Sequence, residues 1–270
     1  MAETDKVFIG SIPDTYDQYL VPLIFETYAA DIAQRAASSK PHSVLETAAR
    51  SGVVTRALAP LLSADAQYCV TDLNQPMLDR AAKVQAEDHR IIWRAADALS
   101  LPFDDNSFDV VCCQFGVMFF PDRVAGYTEA RRVLKPGGQF IFNAWDKIED
   151  NVFADVVTQA AGDVFPDDPP LFLARTPHGY NDVAKIEADL RAARFESVTI
   201  ETIAETSSAP TARHPAIAYC EGTPLRNEIE ARDASRLNDV VERATNAIAA
   251  RFGAGPVSAK IQGHVVTATA

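Results

Sequence analysis

Three acidic residues stand where short apolar runs of this sequence end. Glu46 follows Ser43-Val44-Leu45, Asp72 follows Gln67 to Thr71, and Asp97 comes shortly after Ile91-Ile92-Trp93. Asp72 trails Glu46 by 26 residues and Asp97 trails Asp72 by 25, a regular beat. Both oxygens of a carboxylate accept hydrogen bonds, so one acid can take two neighbouring hydroxyls at once. Asp72 therefore suits the diol of a ribose. Asp97 suits the exocyclic amine of an adenine, with Leu73, Met77 and Ala98 placed to sandwich the ring. Glu46 suits an ammonium, directly or through a water. A lone acid at such a position also serves as a helix N-cap; it is the ordered series that points to a ligand.

The elements that must hold these acids are legible as patterns. Residues 43 to 145 alternate apolar runs with helical stripes, the signature of βαβ units and a parallel sheet. Strands are expected at Ser43-Leu45, Gln67-Thr71, Ile91-Trp93, Phe108-Cys113 and Phe140-Ala144. Val54, Ala57, Leu58 and Leu61 make a helical stripe that Pro60 must end or kink. Further helices are expected around Pro76-Val84 and from Arg123 to Leu134, where Lys135-Pro136-Gly137-Gly138 reads as a turn. Residues 146 to 194 are mostly helical with a Pro-rich break, Ser197-Ile203 alternates as a strand, and Gly263-Ala268 is β-like. Leu237, Val240, Val241, Ala244 and Ile248 share one stripe in the helical stretch between. In an open parallel sheet ligands bind beyond the carboxyl ends of the strands, which is where the acids fall.

The ordered motifs resemble a known family. Val44-Leu45-Glu46 with Gly52, Thr71-Asp72-Leu73-Asn74, Ala96-Asp97-Ala98, Leu101-Pro102-Phe103, Phe108-Asp109-Val110-Val111 and Val133-Leu134-Lys135-Pro136-Gly137-Gly138 look like the class I S-adenosylmethionine (SAM)-dependent methyltransferases. Among them the likeness is to the ubiquinone/menaquinone-biosynthesis (methyltransferase type 11) group, and it covers about residues 40 to 145. It implies an α/β fold, Rossmann-like, with a seven-stranded mostly parallel sheet, helices on both faces and a helical cap. The last strand would run antiparallel beside the fifth. The division implied is an N-terminal helical lid over 1–40, a SAM-binding core over 41–145, and a part over 146–270 that completes the sheet around an inserted substrate cap. Glu46, Asp72 and Asp97 would meet the methionine, ribose and adenine parts of SAM, with Ala48, Gly52, Leu73, Met77, Ala98, Gln114 and the lid residue Tyr19, near Tyr16, completing the cofactor set. The product would be S-adenosylhomocysteine.

One loop departs from the family. Where it carries acidic-x-Gly-x-Gly-x-Gly, this chain places Ala48, Arg50 and Gly52 at the glycine positions. Ala48 adds a methyl; Arg50 adds bulk where glycine tolerates positive φ and a close ligand. Its guanidinium either swings aside or grips a carboxylate, leaving binding intact, or fills the pocket and leaves a methyltransferase-shaped binding protein. Methyl transfer needs in-line positioning and a dry site more than elaborate acid–base chemistry. Base candidates are Gln114, Asn143, Trp145 and above all His178 in Thr176-Pro177-His178-Gly179-Tyr180, although a lone histidine is more often structural. Arg175, Arg213 and Arg226 are candidates for pairing with an acidic substrate.

The resemblance implies a small-molecule acceptor, quinone-like, aromatic or similar, and composition agrees in disfavouring a nucleic acid. A net charge of −12 and the lack of a basic run disfavour nucleic acid. Arg131, Arg132 and Lys135 fall at a helix end, where cations complement the macrodipole. A nicotinamide oxidoreductase is disfavoured because Gly-x-Gly-x-x-Gly is absent. No metal-ligand spacing appears, and Cys69, Cys112, Cys113 and Cys220 read as buried thiols. With no bilayer-length apolar run and no signal peptide, the expected location is cytoplasmic.

Overall fold

A computed structural model describes residues 5, 8 and 10–270. The chain divides into two compact units, one of residues 26–144, 181–203 and 263–270, the other of residues 1–25, 145–180 and 204–262. Seven strands form one sheet: β1 (Ser43–Glu46), β2 (Gln67–Asp72), β3 (Ile91–Ala95), β4 (Phe108–Cys113), β5 (Leu134–Trp145), β6 (Ser197–Ala209) and β7 (Val257–Thr269). Their order is β3-β2-β1-β4-β5-β7-β6. The pairs among β1 to β5 are parallel. Along β5 and β7 the numbering runs in opposite senses. Gly137 N–H donates to Ala270 O at 3.1 Å and Asp146 N–H to Gln262 O at 3.1 Å, so β7 is antiparallel and lies beside the fifth strand.

In the first unit β1 is buried along its whole length and β2 beyond Gln67, as strands covered on both faces must be. Phe140 and Phe142, two apart on β5, meet Tyr127 of the helix Arg123–Val133 at 5.7 and 5.4 Å between ring centroids. Tyr28, on the helix Glu26–Ser38, packs edge-on to Phe115 at 5.1 Å and its hydroxyl donates to Ile203 O. That helix, expected within the N-terminal lid, groups with the sheet. The helix Val53–Leu58 stops ahead of Pro60 in a 3₁₀ turn, Ala59–Leu61, as the missing N–H requires.

Two expectations need correction. Lys135-Pro136-Gly137-Gly138 is not a turn before β5 but a bulge within it. Phe108 pairs with Leu134 and Val110 with Gln139, so two steps along β4 match five along β5. The bulge is tied down by Lys135, whose ammonium reaches Asp109 Oδ1 at 2.8 Å and Ser43 Oγ at 3.0 Å. Asp109 thereby clips three segments together, since it also accepts the N–H groups of His42 and Ser43. Residues 205–209, expected in the helical cap, instead prolong β6.

The second unit is mainly helical. Val240, Val241, Ala244 and Ile248 are buried on the helix Leu237–Phe252, which packs on the helices Val152–Val164 and Arg213–Glu221. This is the stripe read from the sequence. Asn151 knots the unit together: its side-chain amide donates to the carbonyls of Asp146, Lys147 and Gln262 and accepts from Gln262 N–H. Among the described residues no helix is long and apolar enough to cross a membrane. All four cysteines are free and buried.

Candidate active site

The carboxyl ends of β1, β2 and β3 lie side by side, and Glu46, Asp72 and the turn holding Asp97 sit on them. Neighbouring strands are about 4.8 Å apart, so the three positions span roughly 10 Å. Asp72 is nearly enclosed, at 4% exposure. Its Oδ2 accepts the N–H of Arg50 at 2.8 Å and its Oδ1 the N–H of Asn74 at 2.7 Å. The carboxylate thus binds the loop after β1 to the turn after β2. Asp97 is exposed, and its Oδ1 accepts the N–H of Leu99 at 2.9 Å in a local turn.

Glu46 is turned into the protein, at 1% exposure. Its Oε2 accepts the hydroxyl of Thr55 at 2.7 Å and that of Tyr68. Burial pushes its carboxyl up to about 7, against the opposing pull of those two hydroxyls. Both hydrogen bonds fall on Oε2, so contact with an ammonium would be made by the other carboxylate oxygen. Tyr68 was not singled out from the sequence, though the parallel register gives the signal. Val44 pairs with Tyr68 and Glu46 with Val70, which puts Tyr68 and Glu46 on one face of the sheet.

The loop between β1 and the helix Val53–Leu58 keeps the backbone of a glycine-rich turn with only one glycine. Ala48, Arg50 and Gly52 have φ of 52°, 52° and 76°. The conformation is imposed from outside: Thr47 N–H donates to Cys112 O at 2.9 Å and Ala49 N–H to Thr71 O at 3.0 Å, besides the Arg50–Asp72 bond. The Arg50 guanidinium carbon lies 4.5 Å from the centroid of Phe119, in the turn after β4. Sequence reading passed over Phe119 because an aromatic in an apolar run carries no distinguishing signal. The methyl of Ala48 has its own complement. A Cβ on Gly116 would meet Ala48 Cβ and Cys113 Sγ, both at 2.6 Å, so glycine there makes room for alanine here.

The remaining expected residues separate into two groups. Leu73 is 54% exposed and Ala98 half-buried, both beside the strand ends, whereas Met77 is fully buried and offers no open face to a ring. Gln114 is buried immediately after β4. Tyr19 and His178 belong to the other unit. Tyr19 lies 4.8 Å from the His214 ring. His178 is 5% exposed, its Nδ1 is 2.8 Å from Asp146 O, and its ring is 5.9 Å from Trp145. Burial lowers its pKa to about 4, which leaves it neutral at pH 7 and a weak proton acceptor. Arg175, Arg213 and Arg226, proposed above for an acidic substrate, are instead engaged by protein acids. Arg175 pairs with Asp5 and Glu228, Arg213 with Glu242, and Arg226 with Glu230. Among the described residues no group of three or more His, Cys, Asp or Glu is placed to hold a metal ion.

These features coincide with what the chain is similar to. Residues 45–142 match the family described as "Methyltransferase domain". A demethylmenaquinone methyltransferase of Lactiplantibacillus plantarum is 36% identical over 41% of this chain and 47% of its own length. A ubiquinone/menaquinone biosynthesis C-methyltransferase, UbiE, of Cupriavidus pinatubonensis is 34% identical over 40% of this chain and 44% of its own. This chain thus spans under half the length of these curated relatives. The YcgJ protein of Bacillus subtilis has the same fold, with a TM-score of 0.57 at 18% identity over 90% of this chain and 98% of that one. Residues 45–142 thus match a methyltransferase domain, and the stretch is similar to that of the ubiquinone/menaquinone-biosynthesis methyltransferases.

Proposed function

We propose that this protein transfers a methyl group from SAM to a small-molecule acceptor, quinone-like or aromatic. The observation that carries this reading is the placement of Glu46, Asp72 and Asp97 at the carboxyl ends of three adjacent strands, next to the switch point between β1 and β4. The donor set fits the cofactor: acids for hydroxyls and amines, and a left-handed loop whose backbone can approach a ligand closely. When bound, SAM supplies an electrophilic methyl on a sulfonium.

The chain's own residues supply position. Asp72 orients the ribose, Asp97 and Ala98 the adenine, and Leu73 covers one of its faces. Glu46 stands at the end of β1 nearest the amino-acid end, with its side chain turned inward onto Thr55 and Tyr68. No metal is needed for this transfer, and the neutral, buried His178 is better placed to hold the Asp146 backbone than to remove a proton.

The test is incubation of the full chain with methyl-labelled SAM and a panel of hydroquinones and phenols, reading label transfer and S-adenosylhomocysteine together. Transfer to any member supports the proposal. Tight cofactor binding without transfer across the panel favours the second reading, a methyltransferase-fold binding protein. That alternative is motivated by Arg50 at a glycine position and by an Asp72 whose oxygens already serve backbone amides.

A further inference from the structure

Asn143 is a buried polar residue that the protein itself leaves unanswered. It lies on β5, one step beyond Phe142, whose partner on β4 is Cys113. It is 0% exposed, and among the described residues neither its Oδ1 nor its Nδ2 has a hydrogen-bond partner. Native proteins pair nearly all their buried polar atoms, because an unpaired one bears the whole cost of leaving water. Strand pairing fixes which way this amide points. Paired residues of parallel strands share a face, so Glu46, Cys112 and Ile141, paired in turn across β1, β4 and β5, lie on one face. Asn143, two residues past Ile141, is on that face and about 7 Å nearer the carboxyl end of the sheet. Phe140 and Phe142, which meet Tyr127, take the other face. The amide therefore stands at the ligand end, two strands or about 10 Å from β1.

The acids assigned to the cofactor stand on β1, β2 and β3, to one side of the switch point between β1 and β4, and Asn143 stands to the other. A cofactor laid along β1 to β3 leaves the ends of β4 and β5 to the acceptor. Enclosure there suits methyl transfer, since a dry site keeps water from competing. An amide does not titrate near neutral pH, so Asn143 binds and does not take the proton. It presents an acceptor beside a donor, and the complementary edge is an O–H next to a second oxygen, as in a vicinal diphenol. Cys112 and Ile141, before it on the same face, are buried, and burial holds the Cys112 thiol protonated. Uncharged surroundings of this kind favour a neutral ring over an anion. We infer that Asn143 binds the methyl acceptor, hydrogen-bonding through both ends of its amide to a neutral aromatic edge that carries a hydroxyl next to a second oxygen. This rests on the methyltransferase reading and narrows its acceptor class.

The experiment takes the full chain, wild type and Asn143→Leu, saturated with S-adenosylhomocysteine, and titrates it calorimetrically with a vicinal naphthalenediol and with the dimethyl ether of that diol, which lacks the O–H donors. Wild type is expected to bind the diol at least about tenfold more tightly than the ether, the size of one or two neutral hydrogen bonds. Asn143→Leu should lose that preference by weakening the diol alone, with its affinity for S-adenosylhomocysteine unchanged. It should also melt no lower than wild type, since an apolar side chain of similar volume replaces an amide that the protein leaves unpaired. An amide that is merely structural, or that only holds a buried water, predicts the reverse: a lower melting temperature and an unaltered preference. A wild type that binds S-adenosylhomocysteine but does not prefer the diol overturns the inference. So does an Asn143→Leu protein that keeps the preference, melts lower, or loses affinity for S-adenosylhomocysteine. Wild-type failure to bind S-adenosylhomocysteine overturns the methyltransferase reading itself, and this inference with it.

Discussion

The two units handle their unusual residues in opposite ways. All six non-glycine residues with positive φ among the described residues, Lys40, Ala48, Arg50, Asn106, Phe115 and Arg194, belong to the unit that holds β1 to β4. Three of them follow β1 or β4 directly, beside Glu46 and Asp72. In the helical unit no described residue other than glycine has positive φ, and Arg175, Arg213 and Arg226 are each paired with acids of the protein. Backbone held at positive φ by its surroundings gathers at functional sites, and here it gathers beside the strand-end acids. Neutralised charge marks structure.

If that contrast holds, the largest loss from a single substitution belongs to the helical unit and is purely structural. Arg175→Ala takes the guanidinium away from Asp5, a carboxyl at 1% exposure that also accepts the Thr176 hydroxyl. Unfolding in urea should show a loss of about 3 kcal/mol, less than a fully enclosed pair because Arg175 is itself part-exposed, and cofactor affinity should not change. A change in affinity would break the comparison.

Next come two buried groups whose pH effects have opposite sign. Glu46 has a folded pKa of about 7 against an ordinary 4.5, so the folded state holds the extra proton between those values and stability falls as pH rises through them. His178 has a folded pKa of about 4 against 6.5, so the unfolded state holds the extra proton and stability falls as pH drops from 6.5 to 4. Glu46→Gln should therefore stabilise the protein by about 2 kcal/mol at pH 8 and by little at pH 4, while His178→Gln should flatten the acid limb alone. Thermal melts from pH 4 to 8 read both.

The smallest effects sharpen the comparison within the loop. Gly116→Ala drives a methyl into Ala48 and should cost about 2 kcal/mol; adding Ala48→Gly should recover half or more by removing that clash and relaxing φ at residue 48. Additivity of the two changes in denaturant unfolding would show that the contact is not shared.

What the sequence disclosed follows the same divide. The strand-end acids were legible because parallel strands repeat at nearly fixed intervals and ligands of open parallel sheets bind beyond their carboxyl ends. The bulge at Lys135 to Gly138 was not, because Pro136 and two glycines signal a turn equally well and only the pairing with β4 distinguishes them. The helical unit was readable as stripes, such as Val240 to Ile248, but not as chemistry. An arginine's partner there lies 29 residues away for Arg213 and 53 for the Glu228 contact of Arg175, beyond the reach of local pattern. Arg50 was legible as a departure, yet its seat on Phe119 required the fold.

Calorimetric titration of S-adenosylhomocysteine into wild type and Asp72→Asn, with circular dichroism to confirm the fold of both, tests the central claim most directly. The account requires one saturable site per wild-type chain and a loss of roughly 10- to 100-fold in affinity on replacing the charged acceptor. No saturable binding by wild type, or equal affinity in a folded Asp72→Asn protein, would contradict it.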